Sequence, residues 1–415
     1  DRELFTVVES LHPAVIVTDT PDRVPADVAR AVLTAGGGWT VTGTLDPAAP
    51  TLGEDIAFVQ FTSGTTGRPK PVPLRGATVT ALMEGVVAKL RGGRAAATDR
   101  PPMPNLIPLS LSLWAGIYNV LFAFAVGAPV VLMSAFETTE FARLVREFGI
   151  RSVVLPPAAM TMLADDEAVT DLTPLRIVRS VSAPLSPLQA RRFRQRFGTS
   201  VLNGYGQTEL GGEVIGWSAA DARMHGDDKL GSIGRPHANI EVRVVGDGGA
   251  ELPPDEVGEL WIRTPATSAA TGDSALADRL SPDGYLRSGD LARIDPDGFV
   301  WIEGRESDMI NRGGLKVFPA EVVEVLRLHP RVRDAAVVGV PDDRVGEVPW
   351  AFVVGPEPVD ADALRDHCRH HLAPYKLPVE IVGLPDLPRN ELGKVVPRQL
   401  LEVAARRRVE PRGRA

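Results

Sequence analysis

The chain has little cysteine, histidine or aromatic character and no excess of positive charge. A single cysteine, Cys368, excludes an intrachain disulfide and a metal site built of thiolates alone. It also fits a reducing compartment, so a cytoplasmic location is expected. Lys and Arg number 45 against 53 Asp and Glu, which gives a net charge of −8. A general nucleic-acid binder needs a basic face, and this balance argues against one. No basic segment followed by an apolar one stands at the start, so no signal peptide is expected. Long apolar runs are also scarce. The one stretch without charge, residues 101–136, is broken by Asn119 and by Gly127-Ala128-Pro129. It reads as a buried helix over 112–126, a turn and a buried strand over 130–133, rather than as a transmembrane segment.

What is present is an ordinary globular composition, 44% hydrophobic and 24% charged, with enough Gly (40) and Pro (36) for many tight turns. The first ten residues have the pattern of an amphipathic helix, with a strand expected over 14–17. After residue 133 helices and strands alternate. Helices are expected over 138–148, 158–164 and 187–197, and strands over 152–155, 176–182 and 200–202. Ser186, Pro187 and Gly198 supply the N-cap, first turn and end of the third helix. Such alternation predicts an α/β fold with a mostly parallel sheet covered on both faces. Ligands of these sheets bind at the carboxyl ends of strands. Two polar turns stand at such ends: Ser182-Ala183-Pro184 and Asn203-Gly204-Tyr205-Gly206-Gln207-Thr208-Glu209.

From 230 to 303 the pattern changes to short β runs (240–245, 258–263, 299–303) separated by Asp247-Gly248 and Pro296-Asp297-Gly298, as expected of a small antiparallel, barrel-like subdomain. An α+β segment follows, with helices over 320–328 and 361–371 and strands over 335–340, 350–354 and 379–383. A boundary near Ser307 divides a large domain, 1–306, from a small one, 307–415. No internal repeat is present.

The strongest chemical signal is Thr62-Ser63-Gly64-Thr65-Thr66-Gly67-Arg68-Pro69-Lys70, after an apolar strand over 56–61. Hydroxyls, backbone N–H groups and a lysine in one flexible loop can surround a polyphosphate. The string does not fit the GxxxxGK[ST] phosphate loop. His367 and His371 are four apart on a helix, but zinc needs further ligands, and a solvated helix face is expected there.

The loop resembles the phosphate-loop signature of the adenylate-forming superfamily, which includes acyl-CoA synthetases, peptide-synthetase adenylation domains and luciferases. Further motifs agree in order. Tyr205-Gly206-Gln207-Thr208-Glu209 resembles the family's YGxTE motif, Gly258-Glu259-Leu260-Trp261 its GEL(W/Y) strand and Ser288-Gly289-Asp290 its TGD motif. Gly304-Arg305 and Gly313-Gly314 resemble the hinge and the loop opening the second domain, and Gly393-Lys394 the C-terminal lysine motif.

The resemblance implies a ligase that uses ATP and Mg²⁺ to adenylate a carboxylic acid, releases pyrophosphate, and passes the acyl group to coenzyme A. A carrier-protein pantetheine is an alternative acceptor, and a non-catalytic nucleotide-binding homologue an alternative class. It also implies site roles. Glu209 is the candidate Mg²⁺ ligand, because that ion prefers hard oxygen donors and leaves most positions to phosphate and water. Thr208 donates to the α-phosphate, and Tyr205 stacks on adenine beside Gly204, Gly206, Ser182 and Ala183. Asp290 and Arg305 hold the ribose. Lys394 enters from a mobile second domain to bridge carboxylate and phosphate, and Gly313 and Gly314 let the pantetheine pass. Ser307 stands where relatives carry Asp, Lys or Gln as the pivot. Val181-Ser182 replaces the usual Gly-Gly, and no Asp is present to pair an α-ammonium, so a plain carboxylic acid is expected over an amino acid. Only 61 residues precede Thr62, so an N-terminal part that relatives carry is expected to be missing.

Overall fold

The computed structural model describes residues 15–18, 29–33, 39–43, 55–63, 69–91, 102–183, 185–265, 267, 278–356, 358–389 and 395–409. Its contacts divide the chain into two compact units, Asp1–Val59 and Gln60–Ala415. In the first, β1 (Ile16–Thr18) runs parallel to β2 (Arg30–Leu33), which pairs antiparallel with β3 (Trp39–Thr42). The helix expected over the first ten residues lies outside the described residues. β4 (Ile56–Ser63) and β5 (Pro69–Arg75) form a two-stranded sheet.

The second unit has a parallel α/β layer. α1 (Gly76–Arg91) buries Val79, Leu82, Met83 and Val86, a 3–4 spacing that gives the helix one apolar face. β6 (Asn105–Ile107) and β7 (Val130–Leu132) pair in parallel around α2 (Trp114–Ala125), close to the helix and strand expected of the uncharged stretch. Among the described residues no helix is long and apolar enough to cross a membrane. α3 (Thr138–Glu147), β8 (Ser152–Leu155), α4 (Pro157–Asp165), β9 (Ile177–Ser180), α5 (Pro187–Phe197) and β10 (Ser200–Asn203) follow in the expected alternation. The strands form a parallel sheet in the order β10-β9-β8. α5 begins in a complete Ser186/Gln189 capping box and ends at Gly198, whose φ of 66° is left-handed. Phe141, Leu155, Leu163, Val178 and Phe193 fill the core between these helices and strands.

Two small sheets come next. β11 (Tyr205–Gln207), β12 (Gly212–Gly216) and β13 (Arg235–Pro236) form an antiparallel ribbon, with α6 (Ala219–His225) in the connection. β14 (Glu241–Val245), β15 (Gly258–Arg263), β16 (Leu286–Ile294) and β17 (Val300–Arg305) form a meander in that order. The barrel-like unit expected here is an open four-stranded sheet. Its edge strands do not pair with each other among the described residues, and β12 and β14–β17 close one apolar core with Leu210 and Ile233 instead.

β18 (Ile310–Arg312) and β19 (Leu315–Val317) make a hairpin. α7 (Pro319–Leu328), β20 (Asp334–Asp342), β21 (Gly346–Val354), α8 (Ala361–Arg369), β22 (Glu380–Gly383) and α9 (Pro397–Val409) complete the chain. Two apolar clusters sandwich the β20–β21 pair, and Cys368 is wholly buried in one of them. No apolar cluster of the described residues joins side chains before 303 to side chains after 309. The helix carrying His367 is not a plain solvated face. His367 Nε2 lies 2.9 Å from the carbonyl of Val325 on α7, and the ring packs against His329 and His371. No group of three His, Cys, Asp or Glu among the described residues can hold a metal ion.

Candidate active site

The two turns singled out at strand ends meet in space. β9 runs into Val181-Ser182-Ala183, where Ser182 adopts a left-handed φ of 73°. β10 runs through Gly204 into β11, and the backbone N–H of Gly204 donates to the carbonyl of Ser180 at 2.9 Å. Thr208 and Glu209 follow in a single 3₁₀ turn, Thr208–Leu210, closed by Gly211 at φ 81°. Short polar turns at the carboxyl edge of a parallel sheet are where such folds bind ligands.

One polar network ties this edge to the β14–β17 sheet. The Tyr205 hydroxyl donates to Asp290 Oδ2 at 2.5 Å, and Gln207 Nε2 donates to the same oxygen at 2.9 Å. Burial and the adjoining Asp290 charge push the Tyr205 phenol well above its ordinary pKa, which keeps it a donor. On the neighbouring strand Arg305 stands directly across from Asp290, with Nε 3.3 Å from Oδ1. Gln207 Oε1 accepts from Arg279 at 3.0 Å, and Arg279 reaches on to Glu209 Oε1 at 3.2 Å. The chain of contacts therefore runs Glu209, Arg279, Gln207, Asp290, Arg305. Asp290 is 6% exposed and Arg305 mostly exposed, so a buried acceptor is covered by a movable donor. A polyol can exchange with that donor and with the Tyr205 hydroxyl.

Glu209 is the only predicted metal ligand. One oxygen faces Arg279, and no cluster of carboxylates surrounds it among the described residues. A single carboxylate suits an ion that takes most of its ligands from phosphate and water, and does not suit a resident structural metal. Gly313 and Gly314 form the β18–β19 turn with φ of 61° and 88°, and nothing lies within 4 Å of a Cβ built on Gly314. The open space beside that turn leaves room for a slender ligand arm.

Thr62 and Ser63 end β4 and Lys70 lies in β5, so the segment expected to hold phosphate connects a β pair. Their side chains, the residues Gly64, Thr65, Thr66 and Gly67, and Lys394 lie outside the described residues. Sequence reading missed Arg279, which has no motif around it, and Gln207 as the central link.

The profile of the AMP-binding enzyme family matches residues 5–270, and that of the AMP-binding enzyme C-terminal domain matches 321–394. The chain belongs to the AMP-binding enzyme family. This AMP-binding enzyme is 30% identical over 420 residues to 4-coumarate–CoA ligase-like 4 of Oryza sativa subsp. japonica, covering 97% of this chain and 73% of the relative. It is 33% identical over 363 residues to sulfoacetate–CoA ligase of Cupriavidus necator, covering 86% and 69%. Among solved structures it superposes on the o-succinylbenzoate coenzyme A synthetase of Bacillus subtilis in complex with ATP and magnesium ion. The TM-score is 0.80 at 26% identity, over 96% of this chain and 81% of the other. The adenylate-forming resemblance read from the ordered motifs is borne out, and with it the α/β fold.

Proposed function

We propose that this AMP-binding enzyme is an acid–CoA ligase that uses ATP and Mg²⁺ to form an acyl-adenylate with loss of pyrophosphate, then a thioester. The observation that carries the reading is the Glu209–Arg279–Gln207–Asp290–Arg305 network. It joins Asp290, the acceptor proposed for the ribose, to Glu209, the carboxylate proposed for the metal, on one continuous frame. The CoA ligases among its relatives supply the acceptor.

Each residue then has a task. Asp290 accepts from the ribose hydroxyls while Arg305 and Tyr205 hold its charge in place. Tyr205, Gly204, Gly206, Ser182 and Ala183 border the adenine, and Thr208 donates to the α-phosphate. Thr62 to Gly67 and Lys70 wrap the terminal phosphates. Glu209 would hold the Mg²⁺, which neutralises phosphate charge so that a carboxylate can approach. Lys394 reaches in from the segment 307–415, a mobile domain that turns about Ser307, and balances the charge shared by carboxylate and phosphate. Gly313 and Gly314 face the pantetheine in the second half-reaction. With ATP and coenzyme A as co-substrates, the compartment proposed is the cytoplasm.

Carboxylate-dependent ATP–pyrophosphate exchange, run over short, medium, long-chain and aryl acids, tests this reading. Exchange with one class of acid is expected, and Lys394→Ala is expected to slow it on the order of 10²–10⁴-fold. The same variant should still convert supplied acyl-adenylate to thioester. Folded protein that binds ATP but exchanges pyrophosphate with no acid would overturn the reading.

A further inference from the structure

A second polar cluster stands on the other side of β11. Tyr205 and Gln207 point to Asp290, so by strand alternation Gly204 and Gly206 look the opposite way. Directly opposite residues of an antiparallel pair share a face. Glu213 on β12 is opposite Gly206, and a Cβ built on Gly204 would lie 3.0 Å from Glu213 Oε2. The bare face of the nucleotide-contacting strand is therefore turned to Glu213. The Glu213 carboxylate accepts from Arg179, which lies three residues before Ser182, and its Oε1 sits 3.0 Å from His237 Nε2. Lys89 closes the group, with Nζ 2.8 Å from the carbonyls of Gly216 and Arg235.

Two features set this cluster apart from a finished ion-pair core. The first is charge. Arg179 pairs with Glu213 and Arg235 with Asp221, while the Lys89 ammonium beside them meets only backbone carbonyls among the described residues. Burial drives His237 towards its neutral form, so it adds no compensating or further charge. An uncompensated charge in a largely buried place is costly, which calls for one more anion. The second is unmet hydrogen bonding. Arg179 is only 15% exposed, yet among the described residues its N–H donors find one partner, Glu213. His237 Nδ1 and the Tyr118 hydroxyl are buried and find no partner among the described residues. Native interiors seldom leave such atoms unsatisfied without a reason. Glu213 thus stands on the face of β11 turned away from Asp290, and Arg179, His237, Lys89 and Tyr118 gather around it.

We propose that the acid activated by this enzyme carries a second anionic group, a carboxylate or sulfonate, and that Arg179 receives it. This rests on the acid-activating reading above and narrows its substrate class. The second group takes the remaining Arg179 N–H donors and supplies the missing negative charge. The Tyr118 hydroxyl donates to it. His237 Nδ1 accepts from a hydroxyl or amide on the same acid, where one is present.

The test is pyrophosphate release with matched pairs of acids, each dicarboxylic or sulfo-carboxylic acid against the unsubstituted acid of equal chain length. Wild type should favour the dianion by at least about 10-fold in kcat/KM, since a charged hydrogen bond contributes about 1.5–3 kcal/mol. Arg179→Gln should erase most of that ratio, through KM more than kcat. Arg179→Lys, which keeps the cation for folding, should retain part of it. Glu213→Gln frees the guanidinium and should lower KM for the dianion, the reverse of what a purely structural role for Glu213 predicts. Equal or better use of the unsubstituted acid, or a ratio unmoved in Arg179→Gln, would overturn the inference and leave adenylation standing. Failure with every acid would overturn both.

Discussion

Gln207 and Asp290 lie 83 residues apart and share a hydrogen bond of 2.9 Å. The same carboxamide holds Arg279 through its oxygen, so one neutral side chain joins the carboxylate proposed for ribose to the one proposed for the metal. Gln207→Leu removes both links and leaves Asp290 with Tyr205 and Arg305. A hydrogen bond to a charged group contributes about 1.5–3 kcal/mol. KM for ATP should rise by about 10-fold or more, and the Mg²⁺ concentration giving half-maximal rate should rise with it. A change in one of these without the other would show that Gln207 does not couple the two carboxylates.

Gly206 is required by space. A Cβ there would lie 2.0 Å from the carbonyl oxygen of Gly212 and 3.0 Å from Glu213 Cα, backbone that cannot turn aside. Gly206→Ala must push β11 from β12, at a cost of about 1–3 kcal/mol. Thermal unfolding should move down by several degrees, and ATP affinity should fall because Tyr205 and Gln207 move with the strand. Gly248→Ala, where nothing lies within 4 Å, is the control and should leave both unchanged.

Lys89 gives a pH signature. Burial outweighs the pull of Glu213 and Asp221 and lowers its pKa from 10.5 to about 8. The folded pKa is thus below the unfolded one, and between about 8 and 10.5 the unfolded chain binds more protons. In that window this group makes stability rise with pH, and below it the cost of burying the cation is fully present. Lys89→Met has no such term. Melting at pH 7, 8, 9 and 10 should show the difference between the two proteins shifting in favour of wild type from 8 upward. A constant difference would mean that Lys89 stays charged throughout.

The ordered motifs made the family legible, because each needs fixed residue types within a few positions. Helix α5 was legible for the same reason: Ser186, Pro187, Gln189 and Gly198 are local signals, and the capping box forms as expected. Strand bounds were less exact, as in β9, expected over 176–182 and formed over Ile177–Ser180, since its last residues turn into Ser182. Helix α1 and strand β12 were not expected at all. Glycines at 85, 211, 212 and 216 interrupt their patterns, and tertiary packing of Leu82, Leu210 and Val214 decides them. The cluster around Glu213 was invisible for a stronger reason. Lys89, Arg179, Glu213 and His237 come from four separate segments, and each alone reads as a surface residue.

The buried state of Cys368 has a chemical consequence for a protein that makes a thiol-reactive compound. An acyl-adenylate acylates thiolates, and the chain holds one cysteine. Burial lifts that thiol to a pKa of about 11, so at neutral pH it is protonated as well as enclosed. Within these 415 residues the activated acid therefore meets no thiolate that competes with an incoming coenzyme A thiol.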